Sequence, residues 1–341
     1  MSTDAALQRQ SLGRLLGRIK IDRYLLLILA MVVAASLTPA RGQAAHVFDW
    51  TTKFAIGLVF FLHGARLSRE AVIGGLTHWR LHLVVMGATF VLFPLLCLGL
   101  AALPAWITPR ALGPGLIFLG CLPSTIQSSI GFTVIARGDV PAAVASASAS
   151  NLIGMFLTPL LVSLLLHAQG GISSGQVWAI VLQLLAPFAA GQALRPWIGG
   201  WVKRRGKLLS LIDRGSILLV VYNAFSGAVV QGVWSRVGPA DLVRLLVICT
   251  LLLAVLLAAT AYTARLLGFS KADEIAIVFC GSKKSLASGA PMAGVLFPAA
   301  TAGVALLPLM LFHQIQLMAC AVIAQAYARR PEAEAESFAA R

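Results

Sequence analysis

Apolar runs of membrane-spanning length recur along the whole chain and are separated by short polar segments. A run of about 18 residues or more lets an α-helix cross a hydrocarbon core about 30 Å thick. The runs are too long and too uniformly apolar for barrel strands, in which apolar and polar positions alternate. The pattern predicts an all-α polytopic membrane protein with ten transmembrane helices, called spans 1 to 10 in chain order: residues 23–39, 51–67, 79–102, 112–136, 141–167, 176–197, 212–233, 241–268, 273–298 and 304–327.

Composition agrees with this class. Of the 341 residues, 59% are hydrophobic and 11% are charged, whereas about 25% of the residues of a typical soluble domain are charged. The first run, residues 24–37, follows a basic leader and resembles the apolar part of a signal peptide. We expect a retained first helix instead, because many further spans follow it.

The basic residues predict the orientation of the spans. Twenty of the 27 lysines and arginines fall in the two terminal segments and in every second loop, and five fall on the opposite side. Since Lys and Arg collect in cytoplasmic loops, we expect both termini in the cytoplasm and the protein in the cytoplasmic (inner) membrane. The same loops explain the net charge of +15, so we expect no nucleic-acid binding.

The ten spans divide into two halves of five, and an odd number forces the second half to insert upside down. Span 4 (LGPGLIFLGCLPSTIQSSIGFTVIARG, 112–138) and span 9 (EIAIVFCGSKKSLASGAPMAGVLFP, 274–298) are each interrupted near the middle by Gly, Ser and Pro. Paired interruptions predict inverted repeats whose broken helices build a transport site. The predicted units are a cytoplasmic basic segment (1–22), a first five-helix repeat (23–167), a second five-helix repeat (168–328) and a cytoplasmic tail (329–341).

Four segments together resemble the bile acid:sodium symporter superfamily, and within it the solute carrier family 10 member 7-like branch. They are FFLHGARLS (60–68), FPLL (93–96), LPSTIQSSIGFTVIARGDVPAAVASASASNLIG (122–154) and FCGSKKSLASGAPM (279–292). The resemblance covers residues 20–328 and implies a core domain of spans 3–5 and 8–10 beside a panel domain of spans 1, 2, 6 and 7. Broken helices 4 and 9 would cross near the membrane centre, and substrate would bind between core and panel and cross by alternating access.

The resemblance also implies two sodium sites, and this sequence departs from them. In alignment with the family, Phe279 stands where span 9 has a glutamate, and Lys283 stands where it has a glutamine. The other departures are Ile130 for the asparagine beside the retained Ser129, Thr89 for the glutamine of span 3, and Ala143 and Ala147 for the hydroxyls of span 5. We therefore expect both sodium sites to be degenerate.

The candidate substrate- or ion-binding residues are the polar side chains around the two interruptions and their expected neighbours. They are Thr89 in span 3; Gln127, Ser128, Ser129 and Thr133 in span 4; Asn151 in span 5; Ser282, Lys283, Lys284 and Ser285 in span 9; and His313 and Gln316 in span 10. Two alternatives stay open: Gln127 caps carbonyls freed by the break, and His313 with Gln316 supplies interior hydrogen bonds.

Two adjacent lysines in the middle of span 9 require an explanation, because each costs about 2.5–3.5 kcal/mol to insert at the centre of a bilayer. By the predicted spans, every acidic residue lies at a membrane edge or outside it. Three functional interpretations remain, beside a fourth in which both lysines reach into a water-filled crevice without a specific role. Lys283, or at least one of the two lysines, occupies the place of the family's sodium as a tethered cation held by carbonyls at helix C-termini and by hydroxyls. A lysine binds an anionic substrate in the cleft, beside half-helix N-termini near Ser128 and Ser285. A lysine titrates and couples transport to protons.

Nothing in the sequence points to an enzyme. Walker A and H-E-x-x-H motifs are absent, and Ser285 beside Lys284 is the only candidate dyad for a hydrolase.

The five cysteines lie within apolar runs and lack metal-ligand spacing. We therefore expect no metal site and no cofactor, with sodium left as an open alternative.

The sequence as a whole predicts a secondary transporter of a small organic or amphipathic anion. One alternative is a sodium-coupled bile acid or organic-anion symporter. Another is a non-transporting membrane regulator of calcium homeostasis, a role that the resembling eukaryotic branch implies. The expected partners are the lipid bilayer and an anionic small molecule; the oligomeric state is left open, and a monomer is compatible with the sequence.

Overall fold

The computed structural model describes residues 23–66, 78–167 and 174–330, and these residues form helices without a strand. The elements are α1 (Arg23–Leu37), α2 (Gly42–Arg66), α3 (Trp79–Gly87), a π-helical segment (Ala88–Leu92), α4 (Phe93–Ala101), a 3-10 turn (Arg110–Leu112), α5 (Gly113–Cys121), α6 (Gln127–Ile135), α7 (Val140–His167), α8 (Ser174–Arg204), α9 (Gly206–Val230), α10 (Val233–Arg236), α11 (Pro239–Leu266), α12 (Lys271–Gly281), α13 (Leu286–Leu296) and α14 (Ala299–Ala328). The predicted basic segment (1–22) and most of the predicted tail lie outside the described residues.

Six of the described helical segments are long and apolar enough to cross a membrane. They are Gly42–Arg66, Trp79–Ala101, Val140–Leu166, Gly206–Val230, Pro239–Leu266 and Ala300–Ala328. The prediction of a helical membrane protein is therefore confirmed, whereas the count of ten spans and the inverted repeats stay predictions.

Several predicted helix ends are wrong. Helix α2 begins at Gly42 rather than at residue 51, and α9 begins at Gly206 rather than at residue 212. Helix α8 runs to Arg204, several residues past the predicted end at 197. The apolar pattern marks only the stretch that suits lipid, whereas a helix continues through polar turns whose backbone hydrogen bonds are already formed.

The polar interruptions of spans 4 and 9 coincide with breaks in the helices. Helix α5 ends at Cys121 and α6 begins at Gln127. Leu122 is extended, with φ −73° and ψ 153°, because it precedes Pro123 and the proline ring disfavours helical geometry in the residue before it. In span 9, α12 ends at Gly281, and Ser285 caps α13 by accepting the Ser288 N–H at 3.1 Å.

The helices assigned to the panel pack closely with one another. Helix α2 packs against α8 and α9, and α9 packs against α1. At Gly191 in α8, an added Cβ would overlap the carbonyl oxygen of Phe61 in α2, so only glycine allows this approach. Helix α9 also contacts α13 and α14 of the predicted core, whereas the division into domains stays a prediction.

Candidate transport site

A cavity of about 650 Å³ lies between the predicted panel helices and the two breaks. This volume falls in the range of about 300–1,000 Å³ typical of small-molecule sites. Its panel wall carries apolar side chains, such as Phe60 and Phe188, together with the charged groups Arg66, Asp213 and Arg214. A cavity with apolar walls and a few charged groups suits an amphipathic ligand.

The opposite wall of the cavity is formed by the first turns of the two broken half-helices. Gln127 and Ser128 begin α6, and Ser285 caps α13; all three line the cavity. The first N–H groups of a helix lack intrahelical acceptors, and this end of the helix carries partial positive charge. Helix α6 has no side-chain cap. Two positive helix ends therefore face one cavity, which favours an anion.

Lys284 lies behind this wall, with no exposed surface, and its ammonium joins the two breaks. Its Nζ donates to the carbonyl oxygens of Gly120 and Leu122, each at 2.6 Å, and of Thr89 at 2.8 Å. The ring centre of Phe93 lies 4.0 Å from the same Nζ. Gly120 and Leu122 stand at the C-terminal end of α5, where the helix dipole favours a cation.

The carbonyl of Thr89 is free to accept from Lys284 because of the π-helical segment. The Phe93 N–H bonds to the oxygen of Ala88 rather than to that of Thr89. The next residue, Pro94, has no N–H to offer. Lys284 therefore supplies a donor that span 3 itself lacks.

Five consecutive carbonyls at the break of span 4, from Gly120 to Ser124, each have a partner outside that span. Such pairing is required where non-helical backbone lies at membrane depth. The oxygens of Gly120 and Leu122 accept from Lys284 Nζ, that of Cys121 from Thr158 Oγ1 at 2.7 Å, that of Pro123 from Ser285 N at 3.0 Å, and that of Ser124 from Asn151 Nδ2 at 2.7 Å.

The break of span 9 receives hydrogen bonds from span 4 in return. Ser124 Oγ donates to the oxygen of Cys280 at 2.6 Å, and Ser129 Oγ donates to that of Phe279 at 2.8 Å. Gln316 in α14 makes a two-point contact with the backbone of Lys284: its Oε1 accepts the N–H at 2.9 Å, and its Nε2 donates to the carbonyl at 2.8 Å. The two breaks and α14 thus form one hydrogen-bonded unit.

Lys283 lies in a second buried position, different from that of Lys284. Its Nζ donates to the carbonyl of Ser128 at 3.0 Å. It also lies 4.0 Å from the ring centre of Phe132 and 5.0 Å from that of Phe279. One carbonyl and two aromatic faces stabilise this ammonium. Among the described residues, neither Lys283 nor Lys284 forms a salt bridge with a carboxylate.

Comparison with known proteins decides the family. The sequence model of the SBF-like CPA transporter family matches residues 22–329. The chain belongs to this family. It is 58% identical over 321 residues to the uncharacterized protein PA2026 of Pseudomonas aeruginosa, covering 93% of this chain and 96% of that protein. It is 53% identical over 317 residues to the putative symporter YfeH of Escherichia coli K12, covering 92% and 94%.

More distant relatives of this SBF-like protein occur in animals. The chain is 27% identical over 326 residues to the sodium/bile acid cotransporter 7-B of Xenopus laevis, covering 91% of this chain and 92% of that protein. The predicted membership of the bile acid:sodium symporter superfamily is therefore confirmed. The family consists of transporters and not of enzymes, and together with the long apolar helices it makes the SBF-like protein a multi-pass membrane protein.

The structure separates the predicted site residues of the SBF-like protein into two groups. One group lines the cavity: Gln127, Ser128, Asn151, Ser285 and His313. The other group is buried behind it: Thr89, Ser129, Thr133, Ser282, Lys283, Lys284 and Gln316. Within the described residues no group of three His, Cys, Asp or Glu side chains has the arrangement of a metal site.

Sequence reasoning missed the charged part of the panel wall. Arg66 and Arg214 count as loop charges by their position, and Asp213 counts as a membrane-edge acid. The spacing of Ser210, Asp213, Arg214 and Ile217, at i, i+3, i+4 and i+7, places them on one face of α9. This helical spacing is the sequence signal that could have identified the α9 residues of this group as one face of the cavity.

Proposed function

We propose that this SBF-like protein is a secondary transporter that moves a small organic or amphipathic anion across the cytoplasmic membrane by alternating access. The observation that carries the proposal is the cavity of about 650 Å³ that both half-helix N-termini share with the predicted panel helices. Membership of a transporter family supports it, as do the names symporter and sodium/bile acid cotransporter of its relatives.

The ligand class follows from the chemistry of the cavity walls. Apolar side chains such as Leu152 and Met155 line it next to the N-terminal turns of α6 and α13. The positive dipole ends of those turns favour an anionic ligand, and the apolar walls bind the rest of the molecule. The hydroxyl and amide groups of Ser128, Asn151 and Ser285 orient it.

Lys284 acts as a tethered cation in place of a coupling sodium ion. A sodium ion at the position of the Lys284 ammonium would be coordinated by oxygen atoms. The three carbonyl oxygens there already accept hydrogen bonds from Lys284 Nζ. Its ammonium offsets the negative end of α5 without a mobile ion. Lys283 supplies a second fixed positive charge, which donates a hydrogen bond to the carbonyl of Ser128. Neither ammonium lines the cavity, so the anion meets other groups. Sodium is therefore not required for transport.

The cavity faces the cytoplasm in this conformation. Its charged residues lie where α2 ends, at Arg66, and near the start of α9, at Asp213 and Arg214. These are the helix ends that the charge distribution assigns to the cytoplasm. At the far end, α14 meets α9 at Gly303, where an added Cβ would lie 2.9 Å from the carbonyl oxygen of Ala224. We expect the opposite entrance to be closed by this contact.

Uptake by purified protein in liposomes tests the proposal. We expect gradient-driven uptake of at least one member of a panel of amphipathic carboxylates and sulfonates, at the same rate with sodium or with choline as the external cation. Absence of uptake and of binding across the whole panel would reject transport. A strict requirement for sodium would instead favour the sodium-coupled symporter and reject the tethered-cation role.

A cross-link between α9 and α14 separates a transporter from a membrane regulator. An added Cβ at Gly303 would lie 2.9 Å from the Cβ of Ala228, closer than the roughly 3.5–4.5 Å usual between the Cβ atoms of a disulfide, so α9 and α14 have to separate by about 1 Å before cysteines at these two positions are oxidised to a disulfide. Uptake by the variants before oxidation shows whether the added side chains alone disturb transport. We expect the double variant to lose uptake on oxidation and to regain it on reduction, because the outer entrance can no longer open. The two single variants are the controls. Uptake that survives full cross-linking contradicts alternating access between these helices.

A further inference from the structure

The panel wall of the cavity contains an ion pair that the proposed site does not use. Arg66 Nη1 in α2 lies 2.7 Å from Asp213 Oδ2 in α9, and both residues line the cavity. Asp213 is the only acidic side chain among the described residues that line it. A single carboxylate in a transport cavity that otherwise favours anions needs a role of its own.

Arg66 and Asp213 do not use all of their hydrogen-bonding groups on each other, so Arg66 can exchange Asp213 for another anion. An arginine and a carboxylate commonly form two parallel hydrogen bonds, but Arg66 donates to one oxygen of Asp213 only. The other oxygen, Oδ1, is buried and has no hydrogen-bond partner. The side chains are 30% and 21% exposed, so water in the cavity reaches both. The guanidinium therefore has N–H groups left for a second anion.

An anion that enters the cavity competes with Asp213 for Arg66. Arg214, whose Cζ lies 5.3 Å from the ring centre of Tyr24, adds positive charge to the same wall. Once Arg66 turns to the incoming anion, the carboxylate of Asp213 loses its ionic partner. A part-buried carboxylate without a partner is costly, and protonation removes that cost.

We propose that Arg66 binds the anionic group of the substrate and that Asp213 couples transport to protons. When Arg66 leaves it, the carboxylate of Asp213 takes one proton from an acid in the cavity water; when the anion departs, the proton returns to water and the ion pair forms again. One monoanion and one proton thus cross together without net charge. This inference rests on the proposed function, because it assumes that an anion enters the cavity.

The experiment has to distinguish Asp213 from the other titratable groups that line the cavity. His63 and Arg66 line the cavity from α2, Tyr24 from α1, Arg214 from α9 and His313 from α14. Among the described residues, α8 and α13 contribute no titratable side chain to the lining. His63 lies one helical turn before Arg66, so it is the main competitor for the proton and is tested alongside.

The experiment uses the full chain in sodium-free liposomes that contain a pH-sensitive dye, with taurocholate as the probe. Taurocholate carries a sulfonate, which stays ionised at neutral pH and does not bring a proton across by itself. We expect taurocholate uptake by the wild type to acidify the interior and to be insensitive to membrane potential. Asp213→Asn should retain uptake, lose the acidification and become sensitive to the potential. Asp213→Glu should restore the acidification.

Two further variants complete the test. Arg66→Gln should raise the KM for taurocholate at least about tenfold, since it removes the charged partner of the anion. Asp49→Asn removes the exposed pair with Lys53 at the other end of α2 and should leave uptake and acidification unchanged. His63→Gln should retain the acidification.

The possible failures point to different conclusions. Acidification that persists in Asp213→Asn overturns the coupling role and leaves the proposed transport function standing. Acidification lost in His63→Gln but kept in Asp213→Asn assigns the proton to the histidine and likewise overturns it. If the wild type takes up no taurocholate or other panel anion, the proposed function fails and this inference fails with it.

The ion-pair exchange also has a test without substrate. Phenylglyoxal modifies arginine, and mass spectrometry measures the adduct on the peptide that contains Arg66. We expect faster modification of Arg66 in Asp213→Asn than in the wild type, because the carboxylate no longer holds the guanidinium. Equal rates in the two proteins contradict the exchange.

Discussion

The ammonium of Lys284, in the break of span 9, lies 2.6 Å from the carbonyl oxygen of Leu122, in the break of span 4. The contact joins residues 162 positions apart in the sequence. Each break thus supplies what the other lacks: span 4 offers carbonyls without helical donors, and span 9 offers a cation without a carboxylate. Both groups would be costly alone at membrane depth.

Replacing Lys284 tests this mutual satisfaction. Lys284→Ala truncates a large buried side chain and leaves three buried carbonyls without their donor, so we expect a loss of about 2–5 kcal/mol of stability, the range for large-to-small changes at buried positions. Thermal unfolding of the detergent-purified protein measures it. Lys207→Ala, which removes an exposed lysine from α9, is the matched control and should leave the melting temperature unchanged.

Sodium should act differently on Lys284→Ala and on the wild type. The variant has a vacated site with three carbonyl oxygens, and a ligand that binds the folded state raises its stability. We therefore expect sodium to raise the melting temperature of Lys284→Ala relative to choline and to leave that of the wild type unchanged. A wild-type protein strongly stabilised by sodium contradicts the tethered-cation role.

The two-point contact of Gln316 with the backbone of Lys284 gives a further prediction. Gln316→Met keeps the volume but loses both hydrogen bonds, and interhelical hydrogen bonds in membranes contribute about 0.6–1.7 kcal/mol each. We expect a loss of about 1–3 kcal/mol in the free energy of unfolding, measured by denaturant titration in detergent micelles. If Gln316→Met is as stable as the wild type, the contact does not hold α14 to the break.

Close packing of the panel predicts different effects for two glycines of the same helix. Gly191→Ala puts a methyl group into the carbonyl oxygen of Phe61, and we expect a loss of about 1–3 kcal/mol from overpacking. Gly200→Ala, also in α8, meets nothing within 4 Å and should be neutral or slightly stabilising, because alanine favours the helix. Melting curves of the two variants compare them directly, and equal melting temperatures would contradict the close approach of α2 and α8.

A buried glutamate holds one end of the predicted core together. The carboxylate of Glu274, 4% exposed, accepts from Arg265, from Lys271 and from Tyr327. Glu274→Gln weakens all three contacts. Because Arg265 is 62% exposed and Lys271 is 34% exposed, water compensates both cations in part, and we expect a loss of only about 1–3 kcal/mol. Asp49→Asn serves as the exposed control in the same unfolding measurement, and a Glu274→Gln variant as stable as that control would contradict the role of the cluster.

The sequence by itself determined the class of the protein and the location of its breaks. Long apolar runs require helices, since only internal hydrogen bonding satisfies a backbone in lipid. The Gly-, Ser- and Pro-rich interruptions around Pro123 and Lys283 cannot continue such helices, so the chain pattern is enough to find them. The quoted motifs of spans 4 and 9 were also enough to find the family.

Only the tertiary structure decided what each polar residue of those breaks contacts. The adjacent lysines look equivalent in sequence, but Lys284 binds three carbonyls and Lys283 packs between Phe132 and Phe279. Their side chains leave a non-helical turn in different directions, and the partners come from spans far away in the chain. The pairing of Arg66 with Asp213 could not be predicted from the sequence for the same reason. The local pattern shows which residues share one face of a helix. Only the packing of α2 against α9 decides which faces meet.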